Sequence, residues 1–239
     1  RENMKPTKGI AFDLEGTVVN LESAHHNAKM AVMQELGISM TLERAYAELP
    51  HFVGGPDEKG AEDIWKLLDE AARVKVSVAE IQQRSKAHFV RLRDGMDIMP
   101  RPGFMEFYAA ALKLGLRVSI GSLTAMQEAR LILEKSGLDR VFDPRRIVLR
   151  EHVQNLKPAP DVFLKTAELM GVDPENQLVF EDSPRGVTAA ISAGSRAIGM
   201  PPIWHPDTVA PLMKAGAVRI FRHWGEIDVG ALMDNLGQE

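Results

Sequence analysis

Gly9-Ile10-Ala11-Phe12-Asp13-Leu14-Glu15-Gly16-Thr17 is the stretch on which the reading of this chain turns. An apolar run from Gly9 to Leu14 has the length and composition of a strand buried on both faces. It ends in two carboxylates, Asp13 and Glu15, followed by a Gly and a hydroxyl, which read as a turn. A buried strand that stops on acids sets charge at the edge of a sheet, and open parallel sheets bind ligands outside the carboxyl ends of their strands. Asp13 is read as a nucleophile and metal ligand and Glu15 as an acid/base. The competing reading is a helix cap or a pair of solvated loop acids.

Working outward, the chain has two characters. Ala24, Ala28, Ala31, Val32 and Leu36 recur at helical spacing with Gly37 as a stop. Ile64, Leu67, Leu68, Ala71 and Ala72 form one amphipathic stripe, and Val78, Ile81, Phe89 and Leu92 a weaker one. Residues 20–96 therefore read as a helical domain, with a loop at Phe52-Val53-Gly54-Gly55-Pro56. Met99-Pro100-Arg101-Pro102-Gly103 reads as a hinge or point of return. Beyond it strands alternate with helices. A helix carries Phe104, Phe107, Tyr108, Ala111 and Leu112. Strands are expected at Leu116–Ile120, around Ile147–Leu149, and at Leu178–Phe180, Ala197–Met200 and Val218–Phe221. Helices are expected at 126–136, from Pro160 in a first turn, at 184–193 and after Asp228. Such alternation predicts an α/β fold: a Rossmann-like parallel sheet with helices on both faces, formed by residues 1–19 and 97–239, into which the helical block is inserted.

Composition narrows the function. The chain has 239 residues, 45% hydrophobic and 26% charged, as in ordinary globular proteins, and a formal net charge of -4. That charge carries no polybasic signature for nucleic acid or an anionic membrane. The absence of Cys excludes disulfides, thiol nucleophiles and thiolate metal sites. No apolar run approaches the ~20 residues of a membrane span, and Arg1–Lys5 lack the apolar core of a secretory signal. The expectation is a cytoplasmic protein, monomer or weak dimer, acting on a small molecule.

Three further segments carry candidate chemistry. Ser122 ends the strand Val118-Ser119-Ile120-Gly121. A hydroxyl there, with free backbone N–H groups, can bind phosphate oxygens, which makes Ser122 and Leu123 candidate substrate-binding residues. The alternative is a turn or cap hydroxyl. Lys157, in Leu156-Lys157-Pro158-Ala159-Pro160-Asp161, is presented by a stiff segment and can neutralise a carboxylate and a phosphate; otherwise it is a surface lysine. Glu181-Asp182 ends the strand Leu178-Val179-Phe180, and Ser183-Pro184 reads as the cap and first position of the next helix, which the acids also suit. A parallel sheet gathers all these strand ends on one edge. The set then holds what phosphoryl transfer needs: a nucleophile, a proton shuttle, a hard-cation site and positive charge for the oxygens.

With Asp13-Leu14-Glu15-Gly16-Thr17, Ser122, Lys157-Pro158-Ala159-Pro160-Asp161-Val162-Phe163 and Glu181-Asp182-Ser183-Pro184-Arg185-Gly186-Val187, the chain resembles the haloacid dehalogenase superfamily, in the branch of beta-phosphoglucomutase and phosphoglycolate phosphatase. The likeness spans about residues 8–225. It implies a Rossmann-like core with a small helical cap inserted after the first motif. It implies a magnesium-dependent phosphatase acting on a small phosphorylated metabolite, a sugar phosphate or phosphoglycolate-like compound, through an aspartyl-phosphate on Asp13. It places Mg2+ on the Asp13 carboxylate, the Glu15 backbone carbonyl and Asp182, with Glu181 in the outer shell, and the transferring phosphoryl group on Ser122 and Lys157. His25, twelve residues after Asp13, stands where some relatives carry a substrate-facing histidine; an exposed helix polar residue is the other reading. In the loop Phe52–Lys59, Gly54 and Gly55 are candidates for backbone approach to a ligand and Lys59 for a second anionic group, against a plain turn. The departure is Glu15, where the family has Asp. One extra methylene moves the carboxyl group, and about 1 Å of misplacement can cost ~100-fold in rate. A sugar-phosphate phosphomutase and a catalytically impaired phosphate-binding protein therefore stand beside the phosphatase.

Overall fold

The computed structural model describes residues 8–53 and 57–236. The Arg1–Lys5 reading and the Gly54 and Gly55 expectations lie outside the described residues. The chain divides into two compact units, Arg1–Asn20 with Ile98–Glu239, and Leu21–Asp97.

In chain order, β1 (Gly9–Phe12) leads into five helices: α1 (Glu22–Glu35), α2 (Leu42–Glu48), α3 (Asp57–Lys66), α4 (Glu70–Arg73) and α5 (Val78–Gly95). Then come α6 (Phe104–Lys113), β2 (Arg117–Gly121), α7 (Met126–Ser136), β3 (Ile147–Val148) and α8 (Asp161–Met170). The chain continues with β4 (Gln177–Glu181), α9 (Pro184–Ser192), β5 (Arg196–Gly199), α10 (Pro206–Lys214), β6 (Arg219–Ile220) and α11 (Val229–Leu236). The strands form a parallel sheet in the order β3-β2-β1-β4-β5-β6. The order reverses between β1 and β4. A parallel sheet leaves a crevice at such a reversal, outside the strands' carboxyl ends.

Register assigns the two faces. Ala11 pairs with Val179, which pairs with Ala197, and these face a core filled by Val162, Phe163 and Met170 of α8, Val187, Ala189 and Ala190 of α9, and Leu212 of α10. Phe12 points the other way, with ring centroids 5.3–6.1 Å from Phe104, Phe107, Phe142, Phe180 and Trp224. Aromatic pairs contribute about 0.5–1.5 kcal/mol beyond area burial. The residue immediately before Asp13 is thus clamped, and with it the direction in which Asp13 leaves the sheet.

The helical unit departs from the sequence reading in three places. The stripe Ile64–Ala72 is two helices, because the Asp69 carboxylate accepts the Ala72 N–H at 2.8 Å and starts α4 afresh. Ile64 and Leu68 of that stripe are buried, while Leu67 is exposed. Helix α2 was not anticipated; Thr41 caps it by accepting the Arg44 N–H. On α5, Leu92 faces solvent and Arg93 is buried beside it, over the ring of Phe89. In the sheet unit Leu112 is likewise exposed. Helix α10 escaped notice because Pro211 lies inside it. The carbonyl that Pro211 leaves without its helical N–H belongs to Asp207, in the exposed first turn, where the loss is small.

Candidate active site

Strand β1 stops at Phe12, yet the Asp13 N–H still donates to the Phe180 carbonyl at 3.0 Å, so Asp13 leaves the sheet in register with β4. The chain then folds tightly. The N–H groups of Val18 and Val19 both donate to the Leu14 carbonyl at 3.0 Å, and that of Gly16 to Val19 at 2.7 Å. Gly16 has φ +87°, and a Cβ there would lie 2.2 Å from Asp182 Oδ2. The position requires glycine on both counts, and the main chain of the β1 loop thereby lies against the Asp182 carboxylate. Thr17 Oγ1 donates to Asp182 Oδ1 across 3.4 Å.

Lys157 is the centre of the arrangement. Its Nζ donates to Asp13 Oδ1 at 2.6 Å, to Glu181 Oε1 at 2.5 Å and to the Gly121 carbonyl at 3.2 Å. The ammonium also lies 5.0 Å from the centroid of the Phe163 ring. Its own carbonyl accepts a hydrogen bond from Arg185 Nη2. The surface-lysine reading is excluded: Lys157 is 6% exposed and Asp13 7%. Burial pushes the Asp13 carboxyl up to about 7, with Lys157 opposing and Glu181 adding to the rise. Burial works against the Lys157 ammonium too, but the two carboxylates outweigh it and hold the group above the ordinary lysine range.

Glu181 is fully buried, and its second oxygen accepts from the Ser183 N–H and hydroxyl, each at 3.0 Å. Ser183 Oγ also accepts the Gly186 N–H at 3.1 Å, so Ser183 caps α9 with Pro184 at its first position. A Cβ on Gly186 would come within 1.9 Å of the Glu181 carboxyl group. The capping reading and the site reading of Glu181-Ser183 therefore hold together.

Ser122 is pinned by its N–H donating to the Val148 carbonyl of β3 at 2.9 Å. Gly121 precedes it because α8 comes close: a Cβ would lie 2.9 Å from Thr166 and 3.1 Å from Phe163. The Leu123 side chain packs against the core under β1 and β4. Ser122 Oγ is 2.9 Å from Thr124 Oγ1, and Thr124 Oγ1 donates to Glu15 Oε1 at 2.6 Å.

Asp13, Glu15, Ser122, Lys157, Glu181 and Asp182 are thus gathered at the sheet's reversal point. His25 and Lys59 belong to the helical unit. The His25 ring stacks on Phe89 with centroids 4.0 Å apart, and Lys59 pairs with Glu62 at 3.0 Å. Sequence reasoning missed Thr124 and Arg101. Arg101 is buried, and its guanidinium donates to the carbonyls of Gly16, Met200, Pro201 and Arg222 at 2.7, 2.8, 3.2 and 3.1 Å. Its signal was present: an arginine between two prolines on a return segment has little reason to be there as surface charge.

Similarity to known proteins identifies the family. The sequence model of haloacid dehalogenase-like hydrolases matches residues 7–194. The chain is 32% identical over 196 residues to fructose-1-phosphate phosphatase YqaB of Escherichia coli strain K12, covering 80% of this chain and 94% of that one. It is 28% identical over 218 residues to the phosphorylated carbohydrates phosphatase of Thermotoga maritima, covering 90% and 94%. In structure it resembles a haloacid dehalogenase family hydrolase from Deinococcus radiodurans R1, crystallised with bound phosphate and sodium, at TM-score 0.77 and 24% identity over 97% of each chain. The chain belongs to the haloacid dehalogenase-like hydrolases. Within them it is an enzyme of the phosphoric monoester hydrolase type. Among the described residues no helix is long and apolar enough to cross a membrane.

Proposed function

We propose that this enzyme removes phosphate from a small phosphorylated sugar, with Asp13 as the nucleophile and magnesium as its cofactor. The observation that carries the reading is the buried Lys157 ammonium bridging Asp13 and Glu181 where β1 meets β4. A carboxylate so held is aimed by one oxygen, which leaves the other for attack. The named activities of the relatives supply the substrate class.

The residues fit magnesium. Among the described residues no group of three or more His, Cys, Asp or Glu side chains forms a dedicated metal cage. Magnesium asks less: one or two carboxylates, a main-chain oxygen, water and a substrate phosphate. Asp13 and Asp182 with the Glu15 carbonyl are such a set, and the close approach of Gly16 to Asp182 brings that main chain to the carboxylate. Glu181, spent on Lys157 and Ser183, serves from outside. When bound there, magnesium would offset the crowded negative charge and draw electron density from the phosphoryl oxygens.

In this reading the chain's own residues carry the following steps. An Asp13 oxygen attacks phosphorus, and the bond to the sugar oxygen breaks. Glu15 delivers a proton to that oxygen, and Lys157 and Ser122 neutralise the phosphoryl oxygens. Glu15, now a carboxylate, takes a proton from the water that attacks the aspartyl-phosphate. Phosphate leaves and Asp13 is restored. We read the helical unit, 21–97, as the cap that selects the sugar, and the protein as cytoplasmic.

The test is phosphate release from fructose 1-phosphate, other sugar phosphates and p-nitrophenyl phosphate, with magnesium and with a chelator in its place. Release that needs magnesium and is lost in Asp13→Asn supports the proposal. Folded protein that turns over nothing on this panel overturns it in favour of a binding role. Transfer of the phosphoryl group to a second sugar hydroxyl without release makes the enzyme a mutase instead.

A further inference from the structure

Glu15 carries one more methylene and one more rotatable bond than an aspartate at the same place. A glutamate side chain is among those with the most rotamer freedom to lose, so an untethered one spends much of its time out of line. Here it is tethered. Thr124 Oγ1 donates to Glu15 Oε1 at 2.6 Å. Thr124 is itself held by Ser122 Oγ, through its N–H and through its hydroxyl. Its N–H donates to Ser122 Oγ at 3.3 Å, and the Ser122 and Thr124 hydroxyls are 2.9 Å apart. Because the Thr124 proton is given to Glu15, Ser122 is the donor in that second pair. Ser122 is fixed by β3 through Val148, and the neighbouring Leu123 side chain packs against the core. The tether is therefore anchored at the sheet edge through Ser122.

From this arrangement we infer that Thr124 is a positioning residue for Glu15: its hydroxyl selects the one rotamer that makes the longer acid serviceable. The inference rests on the phosphatase reading for its kinetic consequence and on geometry alone for the contact. Thr124 acts through Glu15.

Thr124→Val keeps the shape and removes the hydroxyl. It is expected to lower kcat by at least about 10-fold and by up to the ~100-fold that about 1 Å of misplacement can cost, with KM for fructose 1-phosphate changed less than about threefold. Thr124→Ser returns the hydroxyl and is expected to recover most of kcat. In a Glu15→Ala background, Thr124→Val should slow the enzyme no further, since the effects of two residues acting as a unit do not add. Thr124→Ala serves as a second variant should valine disturb packing, with thermal melting as the check on folding. An unchanged kcat, a raised KM with kcat intact, or a full further loss in the Glu15→Ala background overturns the inference.

A readout independent of turnover separates it from the phosphatase reading. With glutamate side chains carbon-13 labelled at the carboxyl, the Glu15 signal, assigned by its loss in Glu15→Gln, should shift or broaden in Thr124→Val and return in Thr124→Ser. If that signal is unmoved by Thr124→Val, the contact has no hold on Glu15 and the inference falls, whatever the enzyme turns over. If it moves but wild-type protein releases no phosphate, the contact stands and the phosphatase reading falls.

Discussion

Lys157 in the α/β unit and Lys29 in the helical unit are both buried, and each ammonium sits over a phenylalanine ring, Phe163 at 5.0 Å and Phe52 at 5.3 Å. Their partners differ. Lys157 meets two carboxylates, while Lys29 donates to main-chain carbonyls, Phe52 at 2.7 Å and His51 at 3.5 Å. Burial lowers the Lys29 pKa, and Asp57, Glu22 and Asp63 only partly oppose it, whereas the carboxylates on Lys157 reverse the effect of burial altogether. A neutral carbonyl satisfies an ammonium's hydrogen bonds without repaying its desolvation; an opposed charge does both. The sheet edge concentrates opposite charges in a dry place, which suits chemistry. The helical unit buries its lysine to brace a loop.

The comparison is sharpest when its key groups are removed. Asp13→Asn should reduce phosphate release by at least about 10⁴-fold, as loss of a nucleophile does, with the fold intact by circular dichroism. No change at Lys29 should approach that. Lys157→Met should cost about 3–5 kcal/mol in urea unfolding, because it leaves the Asp13 and Glu181 carboxylates buried without their counter-charge. Arg101→Met should cost about 3 kcal/mol by the same measurement, since the Gly16 and Met200 carbonyls lose a buried donor.

Lys29→Met should cost least, about 1 kcal/mol near neutral pH, the orphaned Phe52 carbonyl being offset by relief of a buried charge. Its signature is in the pH dependence. The Lys29 pKa in the folded protein lies below the 10.5 of the free side chain. Between those values the unfolded chain holds more protons, so the contribution of Lys29 to stability rises as pH climbs toward 10.5. Lys29→Met should erase that rise, read as urea midpoints near neutral pH and at about pH 10. Equal losses in Lys157→Met and Lys29→Met would break the contrast between the two units.

Much of the site was legible because parallel strands have ends that converge. Asp13, Ser122 and Glu181-Asp182 each follow an apolar run, and one topological rule places them together. Lys157 was legible as a stiffly presented cation, but its burial was not, since only packing against Phe163 and Glu181 decides that. Thr124 was hidden because its contact is with a side chain 109 residues away. The helical unit was read less well. Thr41 and Asp69 each cap a helix by taking one N–H, a local contest between side chain and main chain that hydrophobic spacing does not register. Leu92 and Leu112 fell on the expected stripes yet face solvent, since a long apolar stripe is wider than the groove it fills.

Val19 pairs with Pro100 in an antiparallel bridge, and the Arg101 N–H donates to the Val18 carbonyl at 2.7 Å. The chain therefore departs from the sheet unit and comes back to it through a single seam. Closing a detour costs little more when the detour grows, because the entropy of closure rises only with the logarithm of its length. The seam works as a socket: inserts of different size can be seated between Asn20 and Ile98 while the strand ends behind it keep their places. Under the function proposed above, selectivity and bond-breaking fall to separate stretches of polypeptide, free to change at separate rates.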